Sequence, residues 1–381
     1  MRICHFCFTL DPSRGGVSSG VVTTVKELTR YGISNQIVSA GVTKNQFERN
    51  SKLESEFNSI GVEYRYTFAR FKNDYGVGSL RGLSGKLASL AKPDLVVIHQ
   101  IYTFSTLIGY IYAKRNGIPY VVKPHGSLTK YHESDSRLIK ALAKWFLISK
   151  ILREADAIIV TCESERADLN PPLQAKAYKL NYGAVKHQAV YESVQRLSVG
   201  SQNPHIVFSG RFDKKKNLPL VIQAMPFVLE KYPNLILDIA GSGTANEVKL
   251  LQRLVTSLKL EGNVQFHGWV DASKMSEIFS SARLLVLPSQ NENFAIVVAE
   301  ALSAGVPCVI SKFVGTADIV AKHHSGEVIE ELTPTSVADG ILKVLQGDEN
   351  QYRDAAFEAV EHSLDWSKIA LRWKALATSL A

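Results

Sequence analysis

Cysteine is scarce. Four cysteines, at positions 4, 7, 162 and 308 of 381 residues, are too few and too scattered for the disulfide framework of a small secreted domain. No stretch approaches the roughly 20 uncharged apolar residues of a membrane-spanning helix. The N-terminus, MRICHFCF, runs into a strand pattern in place of the charged and apolar regions of a signal peptide. These absences predict a cytoplasmic protein. Low-complexity segments and obvious short-period repeats are also missing. Asp-x-Asp occurs nowhere, so the usual carboxylate pair for holding a divalent metal on a diphosphate is lacking, and neither a metal nor another cofactor is expected. Cys4 and Cys7 form a C-x-x-C, but they stand in a predicted strand, where positions three apart point to opposite faces, which argues against a shared metal or redox role.

What is present describes an ordinary globular chain, 45% hydrophobic and 21% charged, too long for one core and suited to two domains. Short β-rich apolar runs alternate with helical segments: RICHFCF (2–8), NQIVSAG (35–41), VEYRYT (62–67), LVVIHQ (95–100), YVVKPHG (120–126), AIIVTC (157–162) and AYKLNYG (177–183). That alternation predicts parallel strands with crossover helices, hence a doubly wound α/β domain. Residues 184–204 lose the pattern. A second series follows, IVFSGR (206–211), LILDIAG (235–241), VQFHG (264–268), LLVLPS (284–289), PCVIS (307–311) and GEVIE (326–330). The expected domains are therefore 1–185 and 186–365, two Rossmann-like units facing each other with ligands beyond the carboxyl ends of their strands. The amphipathic segment 366–381 fits either a strap over the first domain or part of the second core.

The net charge of +8 is unevenly placed. Residues 1–185 hold 25 Lys and Arg against 15 Asp and Glu, and the rest 19 against 21. Such asymmetry suits an anionic partner for the first half or a solvated basic surface. No aromatic-rich stacking motif or nucleic-acid module accompanies the charge, so nucleic acid is not an expected partner.

The most specific stretch is 284–311, LLVLPSQNENFAIVVAEALSAGVPCVIS, which reads as strand, polar loop, helix, strand. Glu292 falls just before the helix and Glu300 within it. Eight residues at the helical rise span roughly 12 Å, the scale on which one carboxylate meets a sugar and the other a ribose. Helix N-terminal N–H groups, placed at Asn293, Phe294 and Ala295, would face an anionic or hydroxyl-rich ligand.

This context, P-S-x-x-E-N-F-x-x-x-x-x-E-A-L-x-x-G-x-P, resembles the signature of glycosyltransferase family 4, the group 1 glycosyl transferases, which are retaining enzymes of the GT-B fold. The resemblance implies that Glu292 serves the sugar, Glu300 the ribose, and that Arg211 and Lys216 of S-G-R-F-D-K-K-K-N-L hold the donor diphosphate, where a guanidinium and a compact ammonium both suit phosphate. It implies that His125 of K-P-H-G-S contacts the donor sugar near the reacting carbon, and that Gly15 and Gly16, after the first strand, lie near the donor phosphates and the acceptor. Gly241 and Gly243 suit a backbone wall beside the nucleotide. The neighbourhood of His267, Gly268 and Trp269 would meet the base through backbone groups, although Trp269 fits a core equally well. One departure stands out: the family usually has Gly where this chain has Ala295, which bears on the donor sugar.

The implied reaction moves a hexose from a UDP- or GDP-linked donor, with retention, to a saccharide or polyprenyl-linked acceptor in polysaccharide or glycoconjugate biosynthesis. Segment 137–153, with Arg137, Lys140, Lys144, Lys150 and Arg153, fits a core helix with a basic edge or a peripheral contact with anionic membrane on the inner face. A non-hydrolysing sugar-nucleotide epimerase of the same fold and a non-catalytic nucleotide-sugar binder are the alternative readings.

Overall fold

The computed structural model describes residues 1–10, 16–42, 47–68, 83–128, 138–184 and 204–380. Gly15 and Arg137 lie outside them, as do the side chains of Lys140 and Lys144. The chain forms two compact units, Met1–Tyr182 with Trp366–Ala381, and Gly183–Asp365.

In the first unit, strands β1 (Arg2–Cys7), β2 (Ser34–Val42), β3 (Glu63–Phe68), β4 (Leu95–His99), β5 (Tyr120–Lys123), β6 (Ala157–Val160) and β7 (Ala177–Lys179) form one sheet in the order β3-β2-β1-β4-β5-β6-β7. All of its pairings are parallel. A parallel sheet is covered on both faces, which is why LVVIH and YVVK are apolar runs buried from end to end. Cys4 packs on one face and Cys7 with a cluster on the other. Burial pushes the Cys7 thiol up to about 12, and Cys4 is raised further, so both are inert.

In the second unit, β8 (His205–Ser209), β9 (Ile236–Ala240), β10 (Val264–Gly268), β11 (Ala282–Leu287), β12 (Cys308–Ser311) and β13 (Gly326–Ile329) form a parallel sheet in the order β10-β9-β8-β11-β12-β13. Strand order reverses between β1 and β4 in the first sheet and between β8 and β11 in the second. Each unit is thus Rossmann-like, and ligands in this class bind past the carboxyl ends of strands at the reversal. Local signals set the crossover helices. Gly117, in the left-handed conformation at φ 57, ends the helix Phe104–Asn116, and a reciprocal Thr244–Glu247 capping box starts Ala245–Ser257.

The helix Trp366–Leu380 packs in the first unit. Its Trp366, Ile369, Ala370, Trp373, Leu376 and Ala377 join Ile3, Leu95, Val97, Val121 and Ile159 in one core cluster. Among the described residues, no helix is long and apolar enough to cross a membrane.

Trp373 is among the largest fully buried side chains. Trp373→Ala is expected to lower the stability of the first unit by about 3–5 kcal/mol, read as a lower urea midpoint of the transition that reports on that unit.

Candidate functional site

The second unit gathers charge at its strand reversal. The loop after β8 turns through a 3₁₀ segment, Lys214–Lys216, capped by the Asp213 side chain, which accepts from the Lys216 N–H at 3.2 Å. The loop after β11 lies against it: the Gln290 N–H donates to the Lys215 carbonyl at 2.7 Å, and the Asn217 amide to the Pro288 carbonyl at 3.3 Å. These ties bring Lys216 Nζ to 3.0 Å from Glu292 Oε1, with the two side chains only 14% and 19% exposed. The Lys216 stem runs along Gly210, where an added Cβ would stand 3.2 Å from its Cε. Glu292 is fixed from its other side too, its N–H donating to the Phe313 carbonyl at 3.0 Å and its carbonyl accepting from Gly315 at 2.9 Å. Arg211 is 64% exposed, 3.2 Å from Asp213, and its guanidinium remains open to an anionic ligand.

Beside this pair the strand ends form a glycine wall. A Cβ on Gly241 would collide with the Gly210 carbonyl oxygen, and one on Gly243 would stand 2.8 Å from the Phe212 Cβ. The Gly241 N–H donates to the Gly268 carbonyl at 2.7 Å. Gly268, at φ 69, has nothing within 4 Å of its Cβ position. Trp269 is not in the core: it is 71% exposed. The His267 side chain is committed elsewhere. Asp238, buried on β9, accepts from His267 Nε2 and His205 Nδ1, each at 2.6 Å. Burial alone would raise the Asp238 carboxyl, but the two histidine hydrogen bonds together outweigh it and its pKa is lowered.

The helix that carries Glu300 begins later than the sequence predicts. It spans Ile296–Ser303, with Ala295 as a left-handed N-cap at φ 60 and ψ 74. Asn293, Phe294 and Ala295 therefore precede the helix, and its first N–H groups belong to Ile296 onward. The helical rise does not measure the Glu292-to-Glu300 span, since only its second part is helical. Phe294 and Ala295 are buried. Glu300 is open to solvent while crowded by enough protein that desolvation raises its carboxyl above the ordinary range. The positive φ also explains why glycine suits the position before the helix: an L side chain pays for that conformation.

In the first unit His125 follows β5 at φ 55, inside a turn where Ser127 bonds back to Pro124 and the buried Glu165 accepts from the Gly126 N–H at 2.6 Å. Both of its ring nitrogens are engaged, Nε2 with His99 Nδ1 at 2.9 Å and Nδ1 with the Tyr182 hydroxyl at 2.8 Å. His99 Nε2 in turn meets His5 Nδ1 at 2.9 Å. Lys123, wholly buried, sets its Nζ 4.1 Å from the Tyr182 ring centroid, and burial holds it down to about 8. Sequence reasoning singled out His125 and not His5, His99, Lys123 and Tyr182, which the fold gathers with it. The available signal was a histidine set among buried apolar neighbours in RICHFC and LVVIH. Gly16 opens the helix Gly16–Arg30 and is exposed. Among the described residues, no three His, Cys, Asp or Glu side chains gather in a metal-binding arrangement.

Two family models match, the glycosyl transferase 4-like domain over residues 15–180 and glycosyl transferases group 1 over residues 192–359. The chain belongs to the group 1 glycosyl transferases. An uncharacterized glycosyltransferase of Methanocaldococcus jannaschii is 34% identical over 179 residues, 46% of this glycosyltransferase and 45% of that protein, so the match spans under half of each. A D-inositol 3-phosphate glycosyltransferase of Corynebacterium glutamicum is 22% identical over 96% of this chain and 90% of its own length. Among solved structures, Anabaena HepE in complex with UDP and glucose aligns over the whole of both chains at a TM-score of 0.74 and 17% identity, a likeness of fold. The two parallel sheets with interleaved helices are those of GT-B glycosyltransferases.

Ala295→Gly in this glycosyltransferase is expected to be stabilising by up to about 1 kcal/mol, since it removes a left-handed alanine. Chemical denaturation measures it, and a clear loss of stability would contradict the left-handed turn.

Proposed function

We propose that this glycosyltransferase moves a hexose from a UDP- or GDP-linked donor to a saccharide or lipid-linked saccharide, with retention of configuration and without a metal. The observation that carries the reading is the Lys216–Glu292 pair at the strand reversal, 3.0 Å apart, with the exposed guanidinium of Arg211 on the same loop. Lys216 and Arg211 supply positive charge to a departing nucleoside diphosphate, a stabilisation that grows as the glycosidic bond breaks. Held by Lys216, Glu292 is oriented to accept hydrogen bonds from sugar hydroxyls. Glu300 serves the ribose in the same way, and Gly241, Gly243 and Gly268 let the nucleotide approach backbone. With no Asp-x-Asp in the sequence, these cations take the charge that a metal otherwise neutralises. HepE, solved with UDP, supports a nucleotide-sugar donor. The basic surplus of the first half, with a relative named for a phosphorylated inositol, supports an anionic acceptor in glycoconjugate synthesis.

Peripheral membrane association is a second part of the proposal. On the helix Leu138–Glu154, Phe146 is 67% exposed and Leu147 is also exposed, one turn before Lys150. Apolar and basic side chains in this proximity suit the boundary of an anionic bilayer.

Melting curves with UDP, GDP and ADP in the absence of metal test the donor reading. One nucleotide family should raise the Tm of the wild type by mass action, and the shift should shrink in Lys216→Ala and Glu300→Ala. No shift with any nucleotide would sink the donor site. For the membrane, cosedimentation should increase with the anionic-lipid fraction of vesicles and fall in Phe146→Asp. Binding indifferent to lipid charge would remove the membrane reading alone.

A further inference from the structure

Three histidines and an asparagine form one hydrogen-bonded diagonal across the first sheet. Asn35 is on β2, His5 on β1, His99 at the end of β4 and His125 just beyond β5. Parallel register pairs Asn35 with Ile3 and His5 with Val97, so each step to the next strand moves two residues towards the carboxyl end while keeping one face. The successive contacts are His5 Nε2 to Asn35 Oδ1 at 3.2 Å, His99 Nε2 to His5 Nδ1 at 2.9 Å, His125 Nε2 to His99 Nδ1 at 2.9 Å and Tyr182 Oη to His125 Nδ1 at 2.8 Å.

The direction of these bonds is decided at one end. Asn35 Nδ2 lies 2.8 Å from the Ile33 carbonyl, which can only accept, so the amide NH₂ must face it. Nδ2 also donates to Thr29 Oγ1 at 3.0 Å, whose own proton goes to the Val25 carbonyl at 2.8 Å. Oδ1 is thereby turned to His5 and requires an N–H there. A neutral imidazole has one N–H and one lone pair. His5 therefore carries its proton on Nε2 and accepts on Nδ1, and the same choice passes to His99 and then to His125, which accepts the Tyr182 hydroxyl proton.

Neutral rings are required at His5 and His99, because an imidazolium donates from both nitrogens and would face a neighbour's N–H; at His125, whose Nδ1 meets a hydroxyl that can also accept, burial and the nearby Lys123 favour the neutral ring. Burial holds His5 down to about 4 and His99 and His125 well below the ordinary range, with the nearby Lys123 ammonium opposing protonation of each. Glu165, an ionisable group beside this turn, is occupied by Gly126 and Thr161. Trp373 covers the chain, its ring centroid 6.3 Å from that of His5. The arrangement is unsuited to proton conduction, since the Asn35 amide neither takes nor releases a proton at moderate pH.

We propose that Asn35 is a positioning residue that acts through His5 and His99 to lock His125 as the Nε2–H tautomer, with its Nδ1 reserved for a hydroxyl donor. Tyr182 fills that place here, and a ligand hydroxyl takes it only by replacing Tyr182. The consequence for catalysis rests on the reading that His125 serves glycosyl transfer; the lock itself is a property of the free protein.

Long-range ¹H–¹⁵N spectra of full-length protein labelled at the histidine ring nitrogens test it, with His5, His99 and His125 assigned from single His→Asn variants. All three should be Nε2–H tautomers in the wild type. Asn35→Leu removes the acceptor that sets the direction and should shift His99 and His125 to mixed tautomers. Gly20→Ala disturbs the opposite end, because its methyl would stand 2.6 Å from the Tyr182 ring, and should leave all three as Nε2–H. This second variant keeps the test decisive where Asn35→Leu does not fold. An Nδ1–H tautomer at any of the three in the wild type, unchanged tautomers in folded Asn35→Leu, or altered ones in Gly20→Ala would overturn the proposal. Failure of nucleotide binding, with these tautomers observed, would instead count against the functional reading alone.

Discussion

The hydrogen bond from the Gln290 N–H to the Lys215 carbonyl joins two loops that leave adjacent strands on either side of the strand reversal. Without it and the neighbouring bond from the Asn217 amide to the Pro288 carbonyl, Lys216 and Glu292 belong to separate excursions of the chain. With both, the ammonium and carboxylate are set at contact distance before any ligand arrives. Charge placed in advance is what stabilises a developing anion efficiently, because no dipole has to reorganise during reaction. The hydrogen bonds to Glu292 from the Phe313–Gly315 segment likewise fix its backbone in advance, and the glycine wall can lie close by because those strand ends carry no side chains.

The two sheets handle buried polar groups by different means. In the second, a carboxylate stands between two histidines and accepts from both, so no choice of direction arises. In the first, imidazoles meet one another, and each bond has a sense that must be inherited from somewhere. Both solutions avoid an unpaired polar group within a sheet, where the desolvation cost is a few kcal/mol. Both also commit histidine side chains: His267 is held by Asp238, and both ring nitrogens of His125 are engaged.

The strands were legible because parallel strands buried on both faces have to be apolar runs, and LVVIH or LLVL leaves little choice. The charged loop of Lys214–Lys216 and the Glu292 context were visible as local patterns. What sequence missed is what depends on register or on a single dihedral. His5 and His99 are 94 residues apart in numbering, and only the strand order β1-β4-β5 puts them in line. The left-handed Ala295 moved the helix start past Asn293, Phe294 and Ala295, since alanine's helix propensity points the other way. Trp269 shows the limit of inferring burial from residue type: size and aromaticity favour the interior, yet this ring is exposed beside an open glycine.

The helix Trp366–Leu380 belongs to the first unit, although the whole second unit precedes it in the chain. The polypeptide therefore passes between units twice, and the first unit is assembled from segments on either side of the second. On the ribosome this imposes an order. The second unit has all of its residues once Asp365 has emerged, whereas the sheet of the first unit waits, with Ile3, Val97 and Val121 not yet covered by that helix, until Trp366–Leu380 has emerged after it. The first sheet is thus completed only after the whole second unit, although its strands precede that unit in the sequence.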